Sequence, residues 1–176
     1  MNQPVNQPLI DLYDEYTHRP LDRRVFLERL IALAGSTAAA QAFLSVIEPN
    51  YARAAVIAAD DPRVGSIALE ASPNLKGYLA FPKAKGSEIK DNLVIVIHEN
   101  RGLNPHIEDV ARRVALEGFH AFATDFLTPY GGTPKDEDQA RDMFAKIDMG
   151  RVVKSAADLI AGLKQKNARM KIGAVG

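Results

Sequence analysis

The sequence predicts an α/β fold: a mostly parallel sheet, antiparallel at one edge, preceded by a helical segment. Three observations carry this. From about Asp61 onward, strand-like runs take turns with stripes of helical period. Leu93 to Ile97 is an unbroken run of β-branched and aliphatic residues, which suits a strand buried on both faces within a parallel sheet. A capped amphipathic stretch then joins this run to a second apolar strand, making a β-α-β unit of the usual right-handed kind.

Residues 1 to 62 differ in texture from the rest, and two readings of LDRRVFLERLIALAGSTAAAQAFLSVIEPNYARAA (21–55) stay open. In the first, Arg23 and Arg24 ahead of Val25, Phe26 and Leu27 resemble a twin-arginine export signal. Leu30 to Ile47 follows without charge, and Ala52-Arg53-Ala54 offers an A-x-A cleavage site. This reading expects a periplasmic protein beginning near Ala55. In the second, the segment is a pair of structural helices in a cytoplasmic protein. Leu9, Leu12, Tyr13 and Tyr16 recur at helical spacing, and Asp11, Asp14, Glu15 and Asp22 make the start acidic. A stable membrane span is not expected, because the uncharged run is Ala-rich and contains Gly35 and Gln41.

The body, 63–176, follows. VGSIALEA (64–71) and KGYLAFP (76–82) flank Pro73-Asn74 and predict an antiparallel hairpin. KGSEIKD (85–91) is a polar loop, and NLVIVIHEN (92–100) is the buried strand. Asn104 caps a helix with Pro105 at its first position. Ile107, Val110, Ala111 and Val114 form its apolar stripe, and Gly118 ends it. FHAFATDF (119–126) is the next strand. After the loop LTPYGGTPKDED (127–138), one helix presents Ala140, Met143, Phe144 and Ile147. A second presents Val152 or Val153, Ala156, Leu159, Ile160 and Leu163. MKIGAVG (170–176) is the last strand.

Composition narrows the function. The 176 residues are 47% hydrophobic and 25% charged, enough for a globular domain with one core. Lys plus Arg and Asp plus Glu are both 22, so no basic excess exists to drive binding to nucleic acid. The absence of Cys excludes disulfides, thiolate metal sites and a cysteine nucleophile within this sequence.

HENRG (98–102) is the most informative stretch, because α/β enzymes place chemistry at the C-terminal ends of such strands. Gly102 stands where a zinc-binding H-E-x-x-H motif needs its second His. His98, Glu99 and His106 could hold a metal but lack helical spacing. A solvated loop with a capping network is the bland alternative. GGTP (131–134) could cradle a phosphate or be a flexible loop. Asp125 could be catalytic or cap the next turn, and Arg112 and Arg113 read as the solvated face of their helix. KIGAVG suits either the first strand of a dinucleotide-binding fold or the strand before a nucleophile elbow. The long α/β body ahead of it favours the elbow.

VIVIHENRGLNPHIEDVARRVALEGFHAFATDFLTPYGGTPKDEDQARDMF, IDMGRVVKSAADLIAGLK and KIGAVG, in this order, resemble the dienelactone hydrolase (carboxymethylenebutenolidase) family of α/β-hydrolases. The resemblance covers about 63 to 176. It implies an α/β-hydrolase-type, mostly parallel sheet with helices on both faces, and a Cys–His–Asp triad that cleaves a small lactone or carboxylic ester. It implies no metal or organic cofactor. Glu99 matches the acidic residue that assists the nucleophile, Asn100 the position whose backbone N–H helps form the oxyanion hole, and Gly176 the first Gly of the elbow. The nucleophile would come two residues after Gly176, with the triad Asp and His further on. The resemblance therefore implies the N-terminal part of such an enzyme, inactive alone. Its last strand would be an open sheet edge, suited to a complementing C-terminal fragment or to self-association. The alternatives are a non-catalytic interaction module and a truncated dehydrogenase.

Overall fold

The computed structural model describes residues 7–18, 21–47, 56–89 and 92–176. The chain divides into two compact units, Met1–Asn50 and Tyr51–Gly176. The A-x-A site at Ala52-Arg53-Ala54, and Ala55 after it, lie outside the described residues.

The first unit contains α1 (Gln7–His18), α2 (Arg23–Ala34) and α3 (Thr37–Ile47). The Asp22 side chain caps α2 by accepting from the Arg24 N–H. Gly35, at φ +79°, ends α2 with its own N–H on the Ile31 carbonyl, and the Ser36 hydroxyl oxygen accepts from Ala39 N–H as α3 begins. The uncharged run is thus two short helices. No helix among the described residues is long and apolar enough to cross a membrane. Leu9, Leu12 and Tyr16 of α1 are buried with Phe26 and Leu30 of α2 and Ala40 of α3. The Tyr16 and Phe26 rings stack with centroids 4.0 Å apart. The helical spacing in α1 therefore serves packing, and Phe26 of the R-R-x-F-L stretch is a core residue of this unit.

The second unit is a five-stranded mixed sheet: β1 (Val64–Ser72), β2 (Leu75–Pro82), β3 (Asn92–Val96), β4 (His120–Asp125) and β5 (Lys171–Val175). Their spatial order is β1-β2-β4-β3-β5. The hairpin forms as expected around Pro73-Asn74, and β2 continues antiparallel onto β4. The pairs β4–β3 and β3–β5 are parallel. Parallel neighbours need crossovers, supplied by α4 (Pro105–Leu116) between β3 and β4, and by α5 (Glu137–Phe144) and α6 (Met149–Lys166) between β4 and β5.

Strand alternation splits the core in two. Val96, Ala121 and Ala123 turn to one face with Val64 and Ala80, and meet Ile107, Ala111 and Ala115 of α4. Leu93, Ile95 and Phe122 turn to the other with Leu75, Leu79 and Phe126, against Val152, Ala156, Leu159 and Leu163 of α6. Helices thus cover both faces. Each large side chain buried contributes roughly 1.5–3 kcal/mol. β4 lies between two strands and is buried at all six positions, whereas β5 is an edge strand with only Ile172 partly covered.

One reading is corrected. Arg112 is not on a solvated face: it is 4% exposed. Its Nε donates to the Ile57 carbonyl (2.9 Å) and its Nη1 to the Tyr78 hydroxyl (3.0 Å). One turn away, fully buried Asp109 accepts the Ile57 N–H at 2.8 Å. The two charges grip both polar groups of a residue more than 50 positions upstream, which satisfies a strap laid across α4. Helical period cannot reveal such a partner. Arg113 remains largely exposed, with its Nε 3.1 Å from Asp109.

Candidate active site at the C-terminal ends of the parallel strands

At the end of β3 the chain enters HENRGLN. His98 is buried, and its Nε2 accepts the Phe126 N–H at 3.1 Å. The ring's proton therefore sits on Nδ1, which donates to the Glu99 carbonyl at 2.6 Å. Phe126 and Phe144 flank the ring, with centroids 5.5 and 5.8 Å away. Burial pushes the His98 pKa down; the Glu99 carbonyl and the Asp125 charge oppose this without reversing it. A neutral imidazole with both nitrogens engaged ties β3 to β4, and neither nitrogen is left for a metal. No group of three or more His, Asp or Glu able to hold a metal ion occurs among the described residues.

Asp125 closes β4 and organises the next loop. Its Oδ1 accepts from Leu127 N–H (3.0 Å) and from the Thr133 hydroxyl (2.8 Å), and its Oδ2 from Thr133 N–H (2.9 Å). Of the two readings of Asp125, the structure therefore shows the cap. The GGTP loop is held by this carboxylate, and Thr133 passes the hold on: its Oγ1 also accepts the Leu103 N–H at 2.9 Å. Thr133 was visible in the sequence only as one letter of GGTP. Its signal was a hydroxyl beside two glycines, which does not disclose a partner 30 residues upstream. Gly102 is required here. It has φ +72°, and a Cβ would stand 2.3 Å from Thr133 Oγ1.

The same loop is braced twice more. Arg101 Nη1 pairs with Glu137 Oε2 at 2.6 Å, joining it to α5. Asn104 Oδ1 accepts from the N–H groups of His106 and Ile107, both at 3.1 Å, which starts α4. A cleft of about 260 Å³ lies between residues 101–105 and 133–137.

On this braced platform the Glu99 side chain is exposed and Asn100 is half-buried. β5 ends beside them. Val96 is in register with Val175, and Ile97 N–H donates to the Val175 carbonyl at 2.8 Å. A Cβ on Gly176 would be 3.0 Å from that of Ile97. The chain thus leaves β5 level with Ile97, two residues before Glu99. The arrangement brings the exposed Glu99 carboxylate and the turn through Asn100 to the tips of two adjacent parallel strands. Such a place can activate a nucleophile and stabilise an oxyanion.

The model of the dienelactone hydrolase family matches residues 75–176. "Putative hydrolase fragment YghX" of Escherichia coli (strain K12) is 45% identical over 114 residues, which cover 62% of this chain and 96% of that protein. "Protein usf" of Aquifex pyrophilus is 34% identical over 111 residues, 58% of this chain and 45% of that protein. "Putative carboxymethylenebutenolidase" of Synechocystis sp. is 51% identical over 49 residues, 28% of this chain and 19% of that protein. The match thus spans nearly all of the first relative and less than half of the other two. The family match includes KIGAVG, which assigns that strand to a hydrolase sheet and not to a dinucleotide-binding domain. The chain, with its mixed sheet of the α/β-hydrolase type, belongs to the dienelactone hydrolase family.

Proposed function

We propose that this chain is the N-terminal part of a hydrolase that cleaves a small lactone or carboxylic ester through an acyl-cysteine intermediate. The carrying observation is the parallel register of β3 and β5. With Val175 level with Val96, a nucleophile two residues after Gly176 falls beside the HEN turn. There Glu99 draws the proton from the thiol and the Asn100 N–H donates to the oxyanion. The thiolate adds to the carbonyl carbon, the C–O bond breaks, and the leaving oxygen takes a proton. Water then cleaves the thioester, releasing the carboxylate and restoring the thiol. One oxyanion donor is worth about 2.7–4 kcal/mol, and its counterpart is the N–H following the nucleophile.

The 176-residue chain has no Cys and is expected to be inactive alone. Assayed with p-nitrophenyl acetate, it should give no turnover above buffer. Turnover abolished by Glu99→Ala would overturn this. A chain extended by the downstream coding sequence should read x-C-x-G-G after Gly176 and hydrolyse the ester, and Cys→Ala there should abolish activity.

The position of β5 favours a second reading of this chain by itself. Its outer edge is free in the described sheet, which suits β-augmentation by a complementing C-terminal fragment or by a second copy. Co-purification of such a fragment supports this; a monodisperse, cooperatively melting monomer counts against it. For the first unit we propose twin-arginine export. Arg23 and Arg24 are exposed at the start of α2, and the division between units falls just before Ala52-Arg53-Ala54. A mature periplasmic N-terminus near Ala55 supports it, and an intact Met1 in the cytoplasm refutes it.

A further inference from the structure

We infer that the groove between α6 and the sheet binds the anion of a single-chain fatty acid. The groove encloses about 540 Å³, within the range of small-molecule sites. Its floor is Leu75, Leu79, Leu93 and Phe122, and its helical wall is Leu159 and Leu163. It is separate from the platform at the strand tips, for neither Glu99, Asn100 nor Gly176 lines it.

Three observations select this ligand. The groove is apolar yet open: Ile67, at its margin, is 43% exposed. Contiguous apolar surface left to water in a concavity marks a place where something binds.

The second observation is Gly162, inside α6 and on the groove wall. A helix interior disfavours Gly. No packing contact demands it here, since nothing lies within 4 Å of where its Cβ would stand. What its missing side chain provides is room in the groove.

The third is charge. Glu70 and Asp158 line the groove but are engaged, with Lys76 at 3.2 Å and Lys154 at 2.8 Å. Lys166, in the last turn of α6, also lines it and has no ion pair among the described residues. An apolar channel with one uncompensated cation fits an apolar tail carrying one negative head. A neutral lipid leaves that cation unused.

Isothermal titration of the full 176-residue chain with octanoate, decanoate and dodecanoate, each below its micelle concentration, tests this. Saturable binding at one site is expected, tightening about fourfold per added methylene until the groove is full. Lys166→Ala should weaken decanoate about two- to fivefold and leave 1-decanol unchanged. Gly162→Leu should abolish binding while Tm is kept or raised, which separates lost binding from lost folding. Absence of saturable binding at every chain length would overturn the proposal. So would decanoate binding that survives Gly162→Leu, or equal losses of decanoate and decanol in Lys166→Ala.

Discussion

The two faces of the sheet are made by the same strands, yet they are covered unequally. On the α4 face the strands present Ala80, Ala121 and Ala123, all fully buried. Small residues let a helix approach closely, and Ala111 and Ala115 of α4 meet them at zero exposure. On the α6 face the strands present Leu75, Leu79, Leu93 and Phe122. These hold the helix away, and α6 has no fully buried residue. One face is a closed core and the other a groove. Side-chain size on alternate strand positions decides which.

This contrast can be broken from either side. The largest effect is expected where the closed face buries charge. Asp109→Ala leaves the Ile57 N–H without its acceptor and takes the fully buried counter-charge away from the Arg112 guanidinium, and should cost about 3–5 kcal/mol in urea unfolding. Next comes overpacking. Ala111→Leu forces a large side chain into the closed face and should cost about 1–3 kcal/mol. The same side chain on the open face should act in reverse. In Gly162→Leu the new Cβ meets no neighbour and helix propensity improves, raising stability by roughly 0.5–1 kcal/mol. Equal responses at these two positions would mean that the faces do not differ as described.

The smallest effect is a slope with pH. His98 lies against Phe126 and Phe144 on the α6 side, and burial lowers its folded-state pKa. The unfolded chain therefore binds its proton more readily. The stability tied to neutral His98 is fully present above the ordinary histidine value of about 6.5 and is lost as pH falls below it toward the lower folded pKa. Chemical denaturation across this range should show that slope, and His98→Phe should remove it. The variant also starts lower, because Phe126 N–H loses its acceptor.

Much of the fold was legible from local pattern. The hairpin, the buried strand, the capped α4 and the β-α-β unit each rest on residues within one or two turns of one another, which periodicity reports. The α6 pattern was legible only in part. Val153 and Ile160 share the period of Leu159 and Leu163, but they are 65% and 38% exposed. A helix apolar on more than one side does not state which side meets the sheet.

The candidate site divides in the same way. HENRG was recognisable as polar residues crowded at a strand end, and Glu99 lies exposed there. What holds it in place was not readable: Asp125 through Thr133 to Leu103, Arg101 to Glu137, His98 to Phe126. Only Asp125 to Thr133 is near in sequence, at 8 positions; the links from Thr133 to Leu103, Arg101 to Glu137 and His98 to Phe126 join residues 28 to 36 positions apart. Arg112 was misread for the same reason.

By itself, the sequence determined what its neighbours along the chain can enforce: where strands and helices begin, and the absence of a thiol; the strand buried at every position is β4, whereas Ile97 of the Leu93–Ile97 run is 41% exposed. Only the tertiary structure decided which buried charges are satisfied, which helix stands off from the sheet, and that β5 ends level with Glu99's loop at an open edge. Those outcomes depend on groups far apart in sequence meeting in space. The energy of such a meeting comes from burial and from polar groups finding partners, and no local pattern records it.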